Sequence, residues 1–343
     1  MEILTKLLTQ PLSCKKATYR ILNLLIASTL LSQPTHAQDT SKHLIPRGLI
    51  QLGNGHFYSP YAIVVDKKAR TLTLWKQNGD KIDKVLEFPS DMGKKEGNKS
   101  KLGDHRTPEG IYFVQKKLNN DEIPFDTYGS MAFTLDYPNI FDKRAGKTGY
   151  GIWIHAVPDT ETLERGSRGC VVVRNDSIKE LEKYISPGKT PVLIFNSTPY
   201  AEDVTRNNYT KEIEGLLAQW IQSWQAENID QYMSFYSSKF YSLRMNFKKW
   251  RLYKTELNEK YSNIQVNLYS PTIFEHQDGF IVKALQAYHS SEYTDFGEKT
   301  LYLQKTKDGL KIIAEEWVAV PDQSLTQNLA KCCFAANTAT KTN

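Results

Sequence analysis

The first half of the chain carries short apolar runs rich in β-branched and aromatic residues, separated by polar, turn-rich segments, which is typical of β-strands. Residues 61–89 form three such runs, and Asn78-Gly79-Asp80 between the second and the third predicts a hairpin turn. Similar short runs follow, at residues 110–115, 131–135, 151–155, 170–174 and 191–196. A helix is predicted only at residues 175–184, where Asn175 or Asp176 can cap the first turn. The pattern therefore predicts a mainly β domain over residues 59–198.

The pattern changes near residue 200. Apolar residues at helical spacing between positions 213 and 224 predict an amphipathic helix, and residues 229–236 predict a shorter second helix. Alternating segments follow, at residues 264–268, 273–275, 280–289, 299–306 and 310–318, with Asp278-Gly279 and Asp308-Gly309 as hairpin turns. This order of helices and then strands predicts an α+β domain over residues 205–320.

The N-terminal residues have the pattern of a secretory signal peptide. Basic residues precede an apolar run at residues 21–31, and Thr35-His36-Ala37 follows it. A helix of that length rises about 16 Å, which is short of a ~30 Å bilayer core. We therefore expect residues 1–37 to be cleaved near Ala37, leaving an exported chain with no integral membrane segment.

Two polar segments flank the predicted domains. Residues 38–58 form a lead-in segment that can pack on the body or on a second subunit, which leaves a homodimer open. Residues 321–343 are predicted to be a flexible tail, and they contain the adjacent Cys332 and Cys333.

The charge distribution argues against a nucleic-acid partner. The net charge is +6, and four basic residues against one acidic residue place half of it in the first 37 residues. The remainder lacks the concentrated basic surface with which nucleic-acid binders neutralise phosphates.

A candidate catalytic pair lies at the ends of two predicted strands. His155 closes one strand, and Ser167-Arg168-Gly169-Cys170 opens the next. A thiol attacks carbonyl carbon as the thiolate, so a catalytic cysteine needs a base and a local field that lowers its pKa. His155 can be that base, Arg168 can favour the thiolate, and the amides of Gly169 and Cys170 can stabilise an oxyanion. The alternative is that Cys170 is a small buried hydrophobic residue.

Other chemistry is less well supported by the sequence. The histidines and cysteines show no paired spacing of a zinc site, and the segment GNGH lacks the partners of a phosphate-binding loop. The sequence predicts no metal and no cofactor.

Three segments in order carry a family resemblance: KLGDHRTPEGIYFV, IWIHA and SRGCVVVRN. Together they resemble the YkuD-type L,D-transpeptidase family over about residues 59–198. The resemblance implies a β-rich periplasmic enzyme that acts on peptidoglycan stem peptides and cleaves between meso-diaminopimelate and terminal D-alanine through a cysteine thioester. It implies that Cys170 is the nucleophile, that His155 is the base and later the acid, and that the Ala156 backbone carbonyl orients the imidazole. Many members carry a second histidine where this chain has Arg168.

Residues around this pair are candidates for substrate binding: Ser167, Arg168, Arg106 and Tyr137. Some of these residues can have a structural role instead. Asp104, Arg106 and Glu109 can instead form a salt-bridged structural turn, and Tyr137 can pack in the core. The lysines at positions 94, 95, 99 and 101 can attract anionic substrate, although such a charge run is usually solvated.

The second domain resembles the nuclear-transport-factor-like (NTF2-like, or SnoaL-like) cone. Its residues Tyr288, His289, Lys299, Lys311 and Trp317 either line a pocket for diaminopimelate or form a satisfied sheet face. A YkuD-type domain followed by this cone resembles the cell-shape L,D-carboxypeptidases of helical bacteria. The resemblance therefore favours an L,D-carboxypeptidase. The alternatives are an L,D-transpeptidase that forms cross-links or attaches protein to murein, and a non-catalytic peptidoglycan-binding module.

Overall fold

The computed structural model describes residues 43–320. The predicted signal peptide, the first residues of the lead-in segment and the tail with Cys332 and Cys333 lie outside the described residues. Among the described helices, none is both long and apolar enough to span a membrane.

The first part of the chain is mostly strand. Its strands are β1 (Leu44–Pro46), β2 (Leu49–Gln51), β3 (Tyr61–Asp66), β4 (Thr71–Asn78), β5 (Lys81–Pro89), β6 (Gly110–Asn119), β7 (Met131–Leu135), β8 (Trp153–Val157), β9 (Val171–Arg174), β10 (Pro191–Phe195) and β11 (Tyr200–Glu202). Its helices are α1 (Phe125–Tyr128), α2 (Ile140–Arg144) and α3 (Asn175–Glu182).

Eight of these strands form one sheet, in the order β5-β4-β3-β10-β6-β7-β8-β9. The pairs β3–β10 and β8–β9 are parallel. The alternating side chains of the sheet bury a core of aliphatic residues, among them Ile63, Val114, Ile154 and Val192. The central strands bury both faces: in β3, Ile63 and Val65 pack in this core, and Ala62 and Val64 pack in a second core on the other face.

The second part combines helices with a long antiparallel sheet. Its elements are α4 (Asp203–Gln225), α5 (Ile229–Ser234), β12 (Tyr241–Ser242), β13 (Met245–Asn246), α6 (Phe247–Lys260), β14 (Gln265–His276), β15 (Gly279–His289), β16 (Thr294–Thr306) and β17 (Gly309–Ala319). The helices cover one side of the sheet, where Trp220, Tyr236 and Trp250 pack in one core with Val282 and Leu303. The predicted fold class, a mainly β domain followed by an α+β domain, is confirmed.

Several elements differ from the predicted pattern. Helices α1 and α2 have only four and five residues, too few to show a helical period. Helix α6 buries only Trp250 and Lys254, so its apolar stripe is weak. The two segments predicted at residues 264–268 and 273–275 are one strand, β14, which bulges between Tyr269 and Thr272.

The lead-in segment joins the two parts. Strand β2 pairs with β14, aligning Leu49 with Phe274 and Gln51 with Ile273, and so it becomes an edge of the second sheet. A shared core lies beside this junction, where the Phe113 and Phe274 rings meet edge to face at 5.7 Å. The two sheets therefore belong to one continuous packed body.

Candidate active site

Cys170 directly precedes β9 and is 9% exposed. Its thiol donates to the Gly151 carbonyl oxygen at 3.6 Å, and Cys170 is the free cysteine of the described residues. Burial raises the pKa of the thiol to about 11, while a hydrogen bond with the Trp153 backbone and the charge of Lys99 act in the opposite direction. The thiol is therefore protonated near neutral pH.

His155 lies in β8, the strand that pairs with β9. Because β8 and β9 are parallel and His155 aligns with Val172, Cys170 two residues earlier projects from the same face of the sheet as His155. The His155 Nδ1 lies 2.6 Å from the Ala156 carbonyl oxygen. A carbonyl only accepts, so Nδ1 carries the proton and Nε2 is free to accept one.

The surroundings of His155 keep its imidazole neutral. Burial lowers its pKa below 6.5, and the hydrogen bond to Ala156 opposes that shift. The Tyr128 ring contacts the imidazole edge to face at 5.1 Å and also packs on Trp153 at 5.0 Å. The ring is thus held in one orientation by an aromatic side chain and a backbone carbonyl. Neither Tyr128 in α1 nor Trp153 in β8 was predicted to be a site residue, because no sequence pattern shows that these two segments meet.

Gly169 is required by the space around it. Its φ is +130°, and a Cβ there would lie 2.7 Å from the Arg106 carbonyl oxygen. Its amide donates to Ser167 Oγ at 3.1 Å, and that hydroxyl donates to the Cys170 carbonyl at 2.7 Å. The Gly169 amide expected to hold an oxyanion is therefore engaged within the turn, and so is the Ser167 side chain expected to bind substrate.

The other candidate substrate residues lie in different environments. Arg168 is exposed. Arg106 is half-buried, and its Nε has no hydrogen-bond partner within residues 43–320. Tyr137 is buried, donates to the Thr148 carbonyl at 3.2 Å and packs on Tyr112, which is the core position kept as its alternative.

The polar turn upstream of β6 is built on buried ion pairs. Lys99 Nζ lies 2.8 Å from Asp104 Oδ1, with side-chain exposures of 3% and 6%. Lys67 Nζ lies 2.7 Å from Glu109 Oε1 and also donates to the Thr107 carbonyl. Asp104 and Glu109 thus have the structural role that the sequence left open. The expectation that Lys99 is solvated is wrong, because its carboxylate partner lies beneath the turn.

A separate cavity of about 390 Å³ lies in the second part of the molecule. Tyr288, Lys299 and Trp317 line it, whereas Lys311 is not among its lining residues and donates to the Ser234 carbonyl. Lys254, which no sequence motif marked, also lines it, with its ammonium 4.2 Å from the Trp224 ring centre.

Polar atoms in this cavity wall are left without partners. Four buried side-chain atoms have no hydrogen-bond partner in the described part of the chain: Trp250 Nε1, Gln286 Oε1, Asp295 Oδ1 and Trp317 Nε1. The wall is therefore not a fully satisfied sheet face.

Comparison with known families agrees with this geometry. Residues 60–194 match the L,D-transpeptidase catalytic domain (YkuD), and residues 212–316 match the Cds6 C-terminal NTF2-like domain. A protein of Escherichia coli (strain K12) named "Putative L,D-transpeptidase YafK" is 26% identical over 133 residues, which are 37% of this chain and 48% of that protein. The chain thus spans about half the length of the curated relatives it matches.

Two solved structures resemble both parts of the molecule. Bdellovibrio bacteriovorus Bd1075 is 45% identical, with a TM-score of 0.71 over 81% of this chain and 99% of that chain. The helical cell shape determining protein Pgp2 from Campylobacter jejuni is 26% identical, with a TM-score of 0.64 over 78% of this chain and 95% of that chain. The resemblance found in the sequence is confirmed: this chain contains a YkuD L,D-transpeptidase catalytic domain at residues 60–194, followed by an NTF2-like domain at residues 212–316.

Proposed function

We propose that this protein is a periplasmic cysteine enzyme that trims peptidoglycan stem peptides. Its reaction is L,D-carboxypeptidase cleavage between meso-diaminopimelate and the terminal D-alanine of a tetrapeptide. The observation that carries this proposal is the pair of side chains, Cys170 and His155, that projects from one sheet face with the imidazole held by the Ala156 carbonyl. The localisation rests on the signal-like pattern of residues 1–37.

The resting pair is uncharged, so the proton moves during attack. The pKa of the Cys170 thiol is raised and that of His155 is lowered, which leaves a neutral thiol beside a neutral imidazole at pH 7. His155 Nε2 accepts the thiol proton as Sγ attacks the diaminopimelate carbonyl carbon. The resulting oxyanion is stabilised by the Cys170 amide, since the Gly169 amide already donates to Ser167.

The intermediate then collapses to a thioester. His155 returns the proton to the nitrogen of the leaving D-alanine as the C–N bond breaks. A water molecule, deprotonated by the same imidazole, attacks the thioester and releases the tripeptide and the Cys170 thiol. In the alternative reaction, an amine of a second stem or of a protein takes the place of water.

Carboxylate groups of the stem peptide need cationic contacts. Arg168 is exposed beside the nucleophile, and Arg106 has an unpartnered Nε in the turn that packs against Gly169. Both remain proposed substrate contacts. The Ser167 and Tyr137 hydroxyls donate to backbone carbonyls, of Cys170 and Thr148 respectively. Their proposed role is therefore to hold the backbone of the site.

The acyl acceptor can be an amine or water, and different comparisons support each. The match to an L,D-transpeptidase domain and the name of the Escherichia coli relative favour transfer to an amine. The two-domain likeness to Pgp2, a helical cell shape determining protein, favours the carboxypeptidase reading of the resemblance. We place hydrolysis first because the likeness covers both domains.

Product analysis decides between these reactions. Reduced protein spanning residues 38–343 is incubated with disaccharide tetrapeptide, beside the Cys170→Ala variant, and products are followed by mass spectrometry. Loss of one D-alanine, absent with Cys170→Ala, supports the carboxypeptidase. Joined stems support the transpeptidase. Equal binding of sacculi by both proteins without turnover supports a non-catalytic binding module and rejects the proposal.

A further inference from the structure

Lys99 forms a buried ion pair at the centre of the turn before β6. Its ammonium lies 2.8 Å from Asp104 Oδ1 and 3.2 Å from the Lys101 carbonyl oxygen. The Asp104 carboxylate also accepts the amides of Ser100 at 2.7 Å, Lys101 at 3.0 Å and Arg106 at 3.2 Å. Lysine is almost never fully buried without such a partner. The turn therefore buries Lys99 and Asp104 together, as a pair.

This turn contacts both backbone segments that flank the thiol. On one side, the Arg106 carbonyl oxygen lies 2.7 Å from the position of a Cβ at Gly169. On the other, Lys99 Cε lies 3.1 Å from the position of a Cβ at Gly149, two residues before the carbonyl of Gly151 that accepts the Cys170 thiol. The turn that holds the buried pair thus packs against the two chain segments that flank Cys170, with Arg106 on one side and Lys99 itself on the other.

The groups around Cys170 differ in whether they carry a charge and in how strongly water screens that charge. His155 is neutral, because burial lowers its pKa. Arg168, which the sequence offered as the activating cation, is exposed, so its charge is screened by water. The charge of Lys99 opposes the raised pKa of the thiol, and it acts from a buried position where screening is weak.

We propose that Lys99 is a positioning residue for the reaction, whose buried ammonium stabilises the Cys170 thiolate as it forms. The inference rests on the proposed nucleophilic role of Cys170. The residue that carries out this role lies in the turn upstream of β6, 71 positions before the nucleophile, rather than beside it.

Alkylation kinetics test this role without substrate. The rate at which iodoacetamide labels Cys170 is measured between pH 7 and 9, with peptide mass spectrometry separating Cys170 from Cys332 and Cys333. A rise of about one unit in the thiol pKa lowers the thiolate fraction tenfold, and the greater nucleophilicity of a more basic thiolate offsets part of that. We expect Lys99→Met to label about fourfold more slowly, and Lys99→Arg to restore most of the rate.

The matched control is Lys147→Met. Lys147 forms a similar ion pair, 2.7 Å from Asp142 with side-chain exposures of 13% and 1%, but it is not among the groups that shift the Cys170 pKa. Its labelling rate should equal that of the wild type. Folded Lys99→Met that labels at the wild-type rate, or Lys147→Met that slows equally, overturns the inference.

A second variant covers the case in which Lys99→Met does not fold. Asp104→Asn removes the counter-charge and leaves the ammonium, so labelling should become faster; an unchanged or slower rate in folded Asp104→Asn overturns the inference. The experiments distinguish failure of the proposed function from failure of the proposed role of Lys99. Absence of turnover with the expected labelling pattern rejects the proposed function, and normal turnover with unchanged labelling in Lys99→Met rejects the role of Lys99.

Discussion

At the scale of single residues, the protonation of His155 sets the acid limit of the reaction. Protonated imidazole cannot accept the thiol proton, and burial lowers the pKa of His155 below 6.5. We therefore expect kcat/KM for tetrapeptide cleavage to fall only as the pH drops through that lowered pKa. The measurement is a pH–rate profile with stability checked at each pH. An acid limb centred at or above pH 6.5 would contradict this assignment.

Gly169 gives a second prediction at this scale. Alanine there would place a methyl group against the Arg106 carbonyl at a positive φ, so Gly169→Ala should lower the free energy of unfolding by about 2–4 kcal/mol. Gly146 is the matched control, since its φ is also positive, at +71°, and open space surrounds its Cβ position. Gly146→Ala should cost about 1 kcal/mol. Urea unfolding of both variants compares the two costs, and equal losses would show that the close contact does not matter.

A sequence identifies single functional residues only where they lie in motifs that occur in the order typical of a known family. The proposed roles of Cys170, His155 and Ala156 follow from three ordered segments and their family resemblance. The burial of Lys99 could not be predicted, because its partner Asp104 curls beneath a turn with no periodic pattern. A charge run looks the same in sequence whether it is solvated or folded inward.

At the scale of elements, helix α6 carries a lysine into the wall of the cavity in the second part. Lys254 is buried beside Trp224 and Trp250, and burial lowers its pKa to about 8. The unfolded chain binds this proton up to about pH 10.5, so folding is opposed by Lys254 below pH 8 and the penalty disappears as the pH rises from about 8 to about 10.5.

Replacing Lys254 with methionine should remove that dependence. We expect Lys254→Met to be more stable than the wild type at pH 7 and to lose most of this advantage by pH 10, as measured by urea unfolding at the two pH values. Lys249, an exposed lysine on the same helix, provides the control. A stability difference that is the same at both pH values would contradict the lowered pKa.

Elements were predictable in proportion to the regularity of their patterns. Strands β15 and β17 begin and end within two residues of the predicted segments, because the Asp278-Gly279 and Asp308-Gly309 turns mark where they begin. Helix α6 was missed because one of its two buried residues is a lysine. Strand β14 looked like two strands because Ser270, with a φ of +50°, and Pro271 interrupt the alternation at the bulge.

At the scale of the whole molecule, the first described strands hold the two parts together. Ile50 in β2 is 1% exposed and packs in the core of the second part, although β2 lies at the start of the first part in sequence. Ile50→Ala should lower the stability of the second part by about 2–5 kcal/mol. Hydrogen exchange of the β14 and β15 amides measures this, with exposed Leu44→Ala as the control. Unchanged protection in Ile50→Ala would show that β2 is dispensable.

The order of two domains was predictable from the change of pattern near residue 200. The return of the lead-in segment to the second sheet was not, because a three-residue strand has no period to read and its partner lies about 220 residues later. Long-range pairing of this kind is decided by the packed core rather than by local sequence.

That pairing has a consequence for biosynthesis. At about 5–20 residues per second, β2 leaves the ribosome at least ten seconds before β14 exists. Throughout that interval the nascent chain carries a strand edge that nothing covers, and an uncovered edge is a template for pairing with other chains. A product truncated near residue 202 would keep this edge open permanently. The last-made sheet therefore also covers one edge of this early-made strand and so protects it from aggregation.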